Sequence, residues 1–110
     1  MTTAEEKFCG AVNDGYVEEA LSLLRDHPGL DVNWANGDRW TALHCAAWEG
    51  HVNVVKVLLA HAHINVNVRD TNDATPFLLG CDNGVAVVRV LLKDLRVDVT
   101  QADQAGCTPL

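Results

Sequence analysis

The strongest constraint on the fold is a sequence pattern that recurs every 33 to 34 residues. A threonine precedes a short apolar stretch at Thr41, Thr75 and Thr108, which gives spacings of 34 and 33 residues. After each of the first two threonines come small residues, then a glycine, then a valine-rich run that ends in Leu-Leu. Residues 8–33 follow the same order. A period of this length is typical of proteins built from stacked repeats.

The local chemistry of one unit predicts two short antiparallel helices. The threonine hydroxyl can accept a backbone N–H at the start of the first helix, and Pro76 is tolerated in the first turn. Gly15, Gly50 and Gly84 can end this helix in a left-handed conformation. The valines and leucines that follow Gly50 recur at helical spacing and predict the second helix. Both helices are apolar on more than one face, so the unit must stack on a neighbour, which predicts an all-α solenoid of helix-turn-helix units.

The sequence resembles the ankyrin-repeat family. The motifs that carry the resemblance are Thr41-Ala42-Leu43-His44-Cys45-Ala46-Ala47, Gly50-His51, Val54-Val55-Lys56-Val57-Leu58-Leu59 and Asn65-Val66-Asn67. The resemblance implies an ankyrin-type stack with β-hairpin fingers and a concave face. It also implies that the imidazole of His44 forms local hydrogen bonds at the turn from hairpin to helix.

The spacing predicts a single domain, 1–110, with repeats at about 1–35, 36–69 and 70–102 and a truncated fourth repeat at about 103–110. Several features depart from the family pattern, among them Ala42 where proline is usual and longer loops after the second helices. Arg39 and Asp73 stand where the hairpin glycine is usual, and the third repeat lacks a counterpart of His51. The third helix pair would also expose an apolar flank. This predicts either a fragment of a longer array or self-association through the C-terminal end.

Composition excludes several classes of protein and partner. The apolar fraction of 48% and the charged fraction of 21% are those of a globular domain. The net charge of −7 opposes binding to nucleic acid or to an anionic membrane surface. The chain has no signal-like segment and no apolar run long enough to span a membrane. We therefore expect a protein partner and an intracellular, cytoplasmic location, with the nucleus not excluded.

The cysteines and histidines give no positive sign of catalysis, metal binding or a cofactor. Cys9, Cys45 and Cys81 lie in apolar helical contexts, and we expect Cys45 and Cys81 to be core thiols. Cys107 is predicted to be the most exposed of the four cysteines. The adjacent pair His44 and Cys45 diverges on a helix, so it does not form a nucleophile with its base. We expect no enzyme.

A metal site is the remote alternative. Imidazole and carboxylate groups can bind zinc, and the candidate ligands are His51, His61, His63 and Glu49. The pair His61 and His63 lies in a loop that follows a second helix, without a supporting pattern of further ligands.

The three tryptophans give the strongest indication of a binding surface. Trp34, Trp40 and Trp48 fall within fifteen residues. The resemblance places Trp40 and Trp48 at variable positions on the concave side, and tryptophan is enriched among binding hot spots. The alternative is that these rings pack on each other and on a neighbouring hairpin. The predicted footprint also contains residues that flank the tryptophans or match them in the third repeat: Asp38, Arg39, Glu49, Asn72, Ala74, Asp82 and Asn83.

Two functions follow from these observations. The first is a non-catalytic module that binds a protein through its hairpin tips and concave helix face, with an apolar or basic anchor on the partner. The second is an architectural segment of a longer array that has no binding site of its own. Trp40→Ala together with Trp48→Ala should abolish binding in the first case only.

Overall fold

The computed structural model describes residues 2–83 and 85–106, and within these ranges the regular structure consists of α-helices. The helices are α1 (Ala4–Asn13), α2 (Val17–Asp26), α3 (Ala42–Glu49), α4 (Val52–Leu59), α5 (Pro76–Asn83) and α6 (Val85–Leu92). They form the three pairs α1–α2, α3–α4 and α5–α6, as the repeat pattern predicts.

Threonines cap the first helices of the second and third pairs. The Thr41 hydroxyl accepts the backbone N–H of His44, and the His44 side chain in turn accepts the backbone N–H of Thr41. The Thr75 hydroxyl accepts the backbone N–H of Leu78 at 3.2 Å, and Pro76 is the first residue of α5. The predicted caps at these two threonines are therefore confirmed, whereas Thr108 and Pro109 lie outside the described residues.

Glycines end α1 and α3 in the left-handed region. Gly15 has φ 76° and Gly50 has φ 74°. At Gly15 a second constraint applies, because a Cβ atom would lie 2.8 Å from Cε1 of the His51 ring. His51 Nε2 donates a hydrogen bond of 2.9 Å to the carbonyl of Asn13, which fixes the ring there. Gly84 lies outside the described residues.

The helices stack in two layers. In the first layer α3 packs between α1 and α5, and in the second layer α4 packs between α2 and α6. The largest side chains of the core come from both layers and are fully buried. They are Phe8, Leu43, Phe77, Leu58 and Leu91. Because each pair buries its apolar residues against its neighbours, the stack is stabilised as one unit.

Asparagine side chains form hydrogen bonds between the loops of successive repeats. The Asn33 Oδ1 atom accepts the backbone N–H of Asn65 at 2.7 Å, and Nδ2 donates to the carbonyl of His63 at 2.7 Å. Asn67 makes the same pair of bonds to the loop 96–98. Each amide therefore satisfies one backbone donor and one backbone acceptor of the next repeat.

The tight loops 36–40 and 70–74 lie between helix pairs, and we call them the first and second fingers. The described residues 103–106 correspond to them and form the third finger. In the first finger the backbone N–H of Asn36 donates to the carbonyl of Trp40, while the N–H of Trp40 donates to Oδ1 of Asn36. Asp70 and Ala74 repeat this arrangement in the second finger. In each finger a side-chain oxygen therefore takes the place of the backbone carbonyl that would accept the second hydrogen bond of a β-ladder. No strand forms in the described ranges, and the expected β-hairpins are not confirmed.

Non-glycine residues adopt left-handed conformations at two finger tips. Arg39 has φ 63° and Asp73 has φ 62°, and Gly106 has φ 82° at the corresponding position of the third finger. The left-handed region is unfavourable for a side chain with a Cβ atom, and arginine has none of the local hydrogen bonding that helps aspartate there. The turns at Arg39 and Asp73 thus share the left-handed conformation of Gly106, without the glycine that the resemblance leads one to expect.

Backbone hydrogen bonds tie each finger to the next. The N–H of Thr71 donates to the carbonyl of Asp38 at 3.1 Å, and the N–H of Gln104 donates to the carbonyl of Asn72 at 2.7 Å. The fingers therefore form one continuous edge along the stack.

The two ends of the stack differ in chemistry. Val54 and Val87 are buried, but the matching residue of the first pair is the exposed Glu19. At the other end Val85 and Leu92 are 69% and 52% exposed. The N-terminal end thus carries a charged residue at a position that is apolar elsewhere, whereas apolar residues remain exposed on α6.

The expectation of a core thiol at Cys81 is wrong. Cys45 is buried, but Cys81 is exposed. The residue that matches Cys81 in the second pair is Ala47, which is fully buried and has the α5 residue Gly80 beside it. No described helix covers α5 on its far side, so Cys81 meets solvent. Cys107 lies outside the described residues.

Candidate functional site

Trp40 is anchored in the structure by three neighbours. Its ring stacks on His44 with centroids 6.0 Å apart and an angle of 19° between the planes. Its Nε1–H donates a hydrogen bond of 2.8 Å to Oδ2 of Asp70 in the next finger. Trp40 also packs against a small buried cluster made of Ala74 in that finger and of Leu78 and Leu79 in α5. The half-buried indole therefore has a fixed orientation at the junction of α3 with two fingers.

His44 lies behind Trp40 and is fully buried. Its Nδ1 atom accepts the backbone N–H of Thr41 at 3.2 Å, and its Nε2 atom lies 2.9 Å from the carbonyl oxygen of Ala74. A backbone N–H can only donate and a carbonyl can only accept, so His44 is the neutral tautomer with its proton on Nε2. Burial lowers the pKa of His44 below its usual value of 6.5. The hydrogen bond between His44 and Thr41 is the local bond that the resemblance implies, and the bond to Ala74 in the next repeat was not expected.

Trp48 is the exposed part of the aromatic cluster. It lies at the C-terminal end of α3 and is 41% exposed. Its ring meets that of Trp40 edge to face, with centroids 5.9 Å apart and an angle of 63° between the planes. The two tryptophans thus pack on each other and still present an aromatic surface to solvent.

Trp34 is half-buried in the loop after α2, where its backbone N–H donates to the carbonyl of Asp31. Among the ring contacts of the described residues, those of Trp40 and Trp48 do not include Trp34. The structure therefore brings two of the three tryptophans together.

The described polar members of the predicted footprint are exposed and form two groups along the chain. One group is exposed on the fingers and consists of Asp38, Arg39 and Asn72; the other is exposed at the ends of α3 and α5 and consists of Glu49 and Asp82. Ala74 is only 5% exposed, and it belongs to the buried cluster against which Trp40 packs. The side chain of Asn83 is outside the described part of the structure.

The sequence interpretation missed Asp70, which organises the second finger. This carboxylate is 3% exposed. Its Oδ1 atom accepts the backbone N–H groups of Asn72 at 2.8 Å and Ala74 at 2.9 Å, and its Oδ2 atom accepts the Trp40 indole. A signal was available, because Asn36, Asp70 and Asp103 recur at the repeat spacing.

The candidate metal ligands are not assembled. The rings of His61 and His63 are 5.9 Å apart, and Nδ1 of His61 accepts the backbone N–H of His63. His51 instead donates to the carbonyl of Asn13. Within the described ranges no group of three or more metal-binding side chains comes together.

The thiols of the three described cysteines favour the protonated form. Burial is the main cause that raises the pKa of Cys9 to about 12 and that of Cys45 to about 11. Burial and the neighbouring Asp82 also raise the pKa of Cys81. Since the thiolate is the nucleophile, none of these environments activates the cysteine.

Comparison with known proteins agrees with the architecture. A family model described as ankyrin repeats, in three copies, matches residues 8–103. The probable E3 ubiquitin-protein ligase XBOS33 of Oryza sativa subsp. japonica is 35% identical over 98 residues, which are 89% of this chain and 19% of that protein. The potassium channel AKT1 of Oryza sativa subsp. indica is 38% identical over 80 residues, or 70% of this chain and 8% of the channel.

A smaller relative is matched over more of its length. Ankyrin repeat-containing protein P1E11.10 of Schizosaccharomyces pombe is 26% identical over 106 residues, which are 96% of this chain and 49% of that protein. The chain thus spans less than half the length of each of these relatives. No helix in the described ranges is long and apolar enough to cross a membrane.

Proposed function

Since this chain belongs to the ankyrin-repeat family, we propose that it is a non-catalytic module that binds a protein partner through its fingers and the first-helix layer. The repeats of this family are generally protein-interaction modules. The observation that carries the proposed site is the exposed ring of Trp48 beside the anchored ring of Trp40. An exposed tryptophan supported by a fixed neighbour supplies a large apolar contact at a small entropic cost.

The partner surface extends from the tryptophans to the polar side chains around them. Asp38, Arg39 and Asn72 contribute from the fingers, and Glu49 and Asp82 contribute from the helix ends. Such a polar rim around an aromatic centre is the usual anatomy of a protein interface.

The test is affinity capture from a lysate of cells that express the chain. Trp48→Ala should remove a specific captured protein, because it deletes the exposed ring while leaving Trp40 and Asp70 in place. Tyr16→Ala is the matched control, since Tyr16 is an exposed aromatic, at 57%, at the turn between α1 and α2. Equal capture by the native chain and Trp48→Ala would refute the proposed site.

An architectural role within a longer array is the second candidate, and the exposed apolar residues of α6 favour it. Val85 and Leu92 match Val52 and Leu59, which are half-buried and pack against the core. In this case Leu92→Glu alone should leave the isolated chain about as stable as before, whereas the same change at Leu59 should destabilise it by about 2 kcal/mol or more. Capture that depends on Leu92 and not on Trp48 would favour this role.

The same exposed face could instead join two copies of the chain. Light scattering at increasing protein concentration tests this, and a mass that stays at one chain excludes it. For the compartment we infer a reducing, intracellular location, because the three cysteines in the described ranges are free thiols.

A further inference from the structure

The aromatic cluster carries no positive charge. His44 is held neutral, since one ring nitrogen accepts from Thr41 and the other donates to Ala74. The Trp40 N–H is already bonded to the carboxylate of Asp70. The surface that remains for a partner is therefore made of aromatic faces and edges, without a cationic donor from these two residues.

The bond to Asp70 also changes the electrostatics of the indole. A carboxylate that accepts the N–H at 2.8 Å in a nearly solvent-free position polarises the ring towards greater electron density. The face of an electron-rich indole attracts cations more strongly than that of any other side chain. Asp70 thus favours a positively charged group over the cluster.

The charged residues near the cluster also favour a positively charged group, because most of them are carboxylates. Glu49 follows Trp48 on α3, and Asp82 holds the position on α5 that Trp48 holds on α3, one helix spacing of about 10 Å away. Asp38 adds a third exposed carboxylate at the first finger, against the single guanidinium of Arg39. The carboxylates outnumber the cations at the rim, as they do in the whole chain.

From these observations we propose that the Trp40–Trp48 surface binds a cationic side chain of its protein partner, with an arginine laid against Trp48. Arginine fits better than lysine, because its planar guanidinium stacks on an aromatic face while its N–H groups point outwards to carboxylates. This inference rests on the proposed function and specifies the chemistry of the partner at the same site.

The probe is the peptide acetyl-Gly-Arg-Gly-amide, and its control is the same peptide with citrulline, which keeps the shape and loses the charge. Binding is followed by NMR on the full chain, through the indole N–H signals of its three tryptophans. The Trp48 signal is identified by its loss in Trp48→Phe. We expect saturable shifts of this signal, with binding about fivefold or more weaker for citrulline.

The role of the rim is tested with variants that change exposed carboxylates only. Glu49→Gln combined with Asp82→Asn should weaken arginine-peptide binding about fourfold at low salt, and less at high salt. The matched control is Glu18→Gln combined with Glu19→Gln, which removes the same charge from α2 and should leave binding unchanged. Equal losses in both pairs would mean that only net charge matters and would overturn the proposed site.

Equal binding of the arginine and citrulline peptides, or no saturable shift with arginine, would overturn the inference. This outcome is separable from failure of the proposed function. If capture of the partner depends on Trp48 while the two peptides bind alike, the interaction site stands and its anchor is apolar. If capture is independent of Trp48, the proposed site is refuted, and this inference is refuted with it.

Discussion

The buried carboxylate of Asp70 gives a sharp prediction about stability. It accepts three hydrogen bonds, from the backbone N–H groups of Asn72 and Ala74 and from the indole of Trp40. In Asp70→Asn the amide oxygen can keep both backbone bonds, as the Asn36 side chain does in the first finger. The amide NH₂ would then face the indole N–H, with donor against donor.

The expected loss follows from the one bond that asparagine cannot make. A hydrogen bond to a charged group contributes about 1.5–3 kcal/mol, so Asp70→Asn should lower the free energy of unfolding by about 2 kcal/mol. Asp70→Ala should cost more, because it also leaves the buried N–H of Ala74 without its acceptor. Urea unfolding followed by circular dichroism measures both changes.

The control is the reciprocal change Asn36→Asp, which keeps the acceptor oxygen in an exposed finger and should alter stability by less than about 0.5 kcal/mol. A double-mutant cycle with Trp40→Phe isolates the bond to the indole, and its coupling energy should be about 1–2 kcal/mol. If the free energy of unfolding of Asp70→Asn lies within about 0.5 kcal/mol of that of the native chain, the bond between Asp70 and Trp40 does not stabilise the fold and the reasoning is refuted.

Three further predictions concern other parts of the stack. Acid should destabilise the chain as pH falls below 6.5, because His44 binds a proton more readily in the unfolded state than in the folded state, where its pKa is lowered. Urea unfolding of the native chain and of His44→Gln at several pH values measures this. An equal dependence of the free energy of unfolding on pH in both proteins would contradict it. Gly15→Ala should destabilise the chain more than Gly50→Ala does, by about 1 kcal/mol or more. Both sites have positive φ, but only at Gly15 would the new Cβ atom meet an imidazole ring. Equal melting temperatures of the two variants would contradict this prediction. Iodoacetamide should modify exposed Cys81 well before buried Cys45, as read by mass spectrometry of peptides, and the opposite order would show that the described burial is wrong.

The sequence predicted the parts of the fold that depend on neighbouring residues along the chain. The cap at Thr41 and the left-handed turn at Gly50 need only the residues beside them, and both are as expected. The hydrogen bonding of His44 was predicted only in part, since its second bond reaches Ala74, 30 residues away. Local patterns specify the helix pair, and the repeat period specifies how the pairs stack.

The interpretations that failed or were missing depend on contacts between repeats. Cys81 has the same local sequence environment as a core residue, but its burial would require a neighbour on the far side of α5. The β-hairpins that the resemblance implies are a separate case and are not confirmed: within each described finger, the side chain of Asn36 or Asp70 accepts a backbone N–H. The recurrence of Asn36, Asp70 and Asp103 marks Asp70 as a finger residue, but its hydrogen bond to Trp40, 30 residues away, is not predicted by neighbouring residues.

The bonds that tie neighbouring fingers have a consequence for how such a surface evolves. They use the carbonyl oxygens of Asp38 and Asn72 and the backbone N–H groups of the next finger. Main-chain atoms are the same in every residue, so replacing either side chain leaves the tie in place. Substitutions at these two exposed positions can therefore change the chemistry of the finger surface while the path of the loops is inherited unaltered.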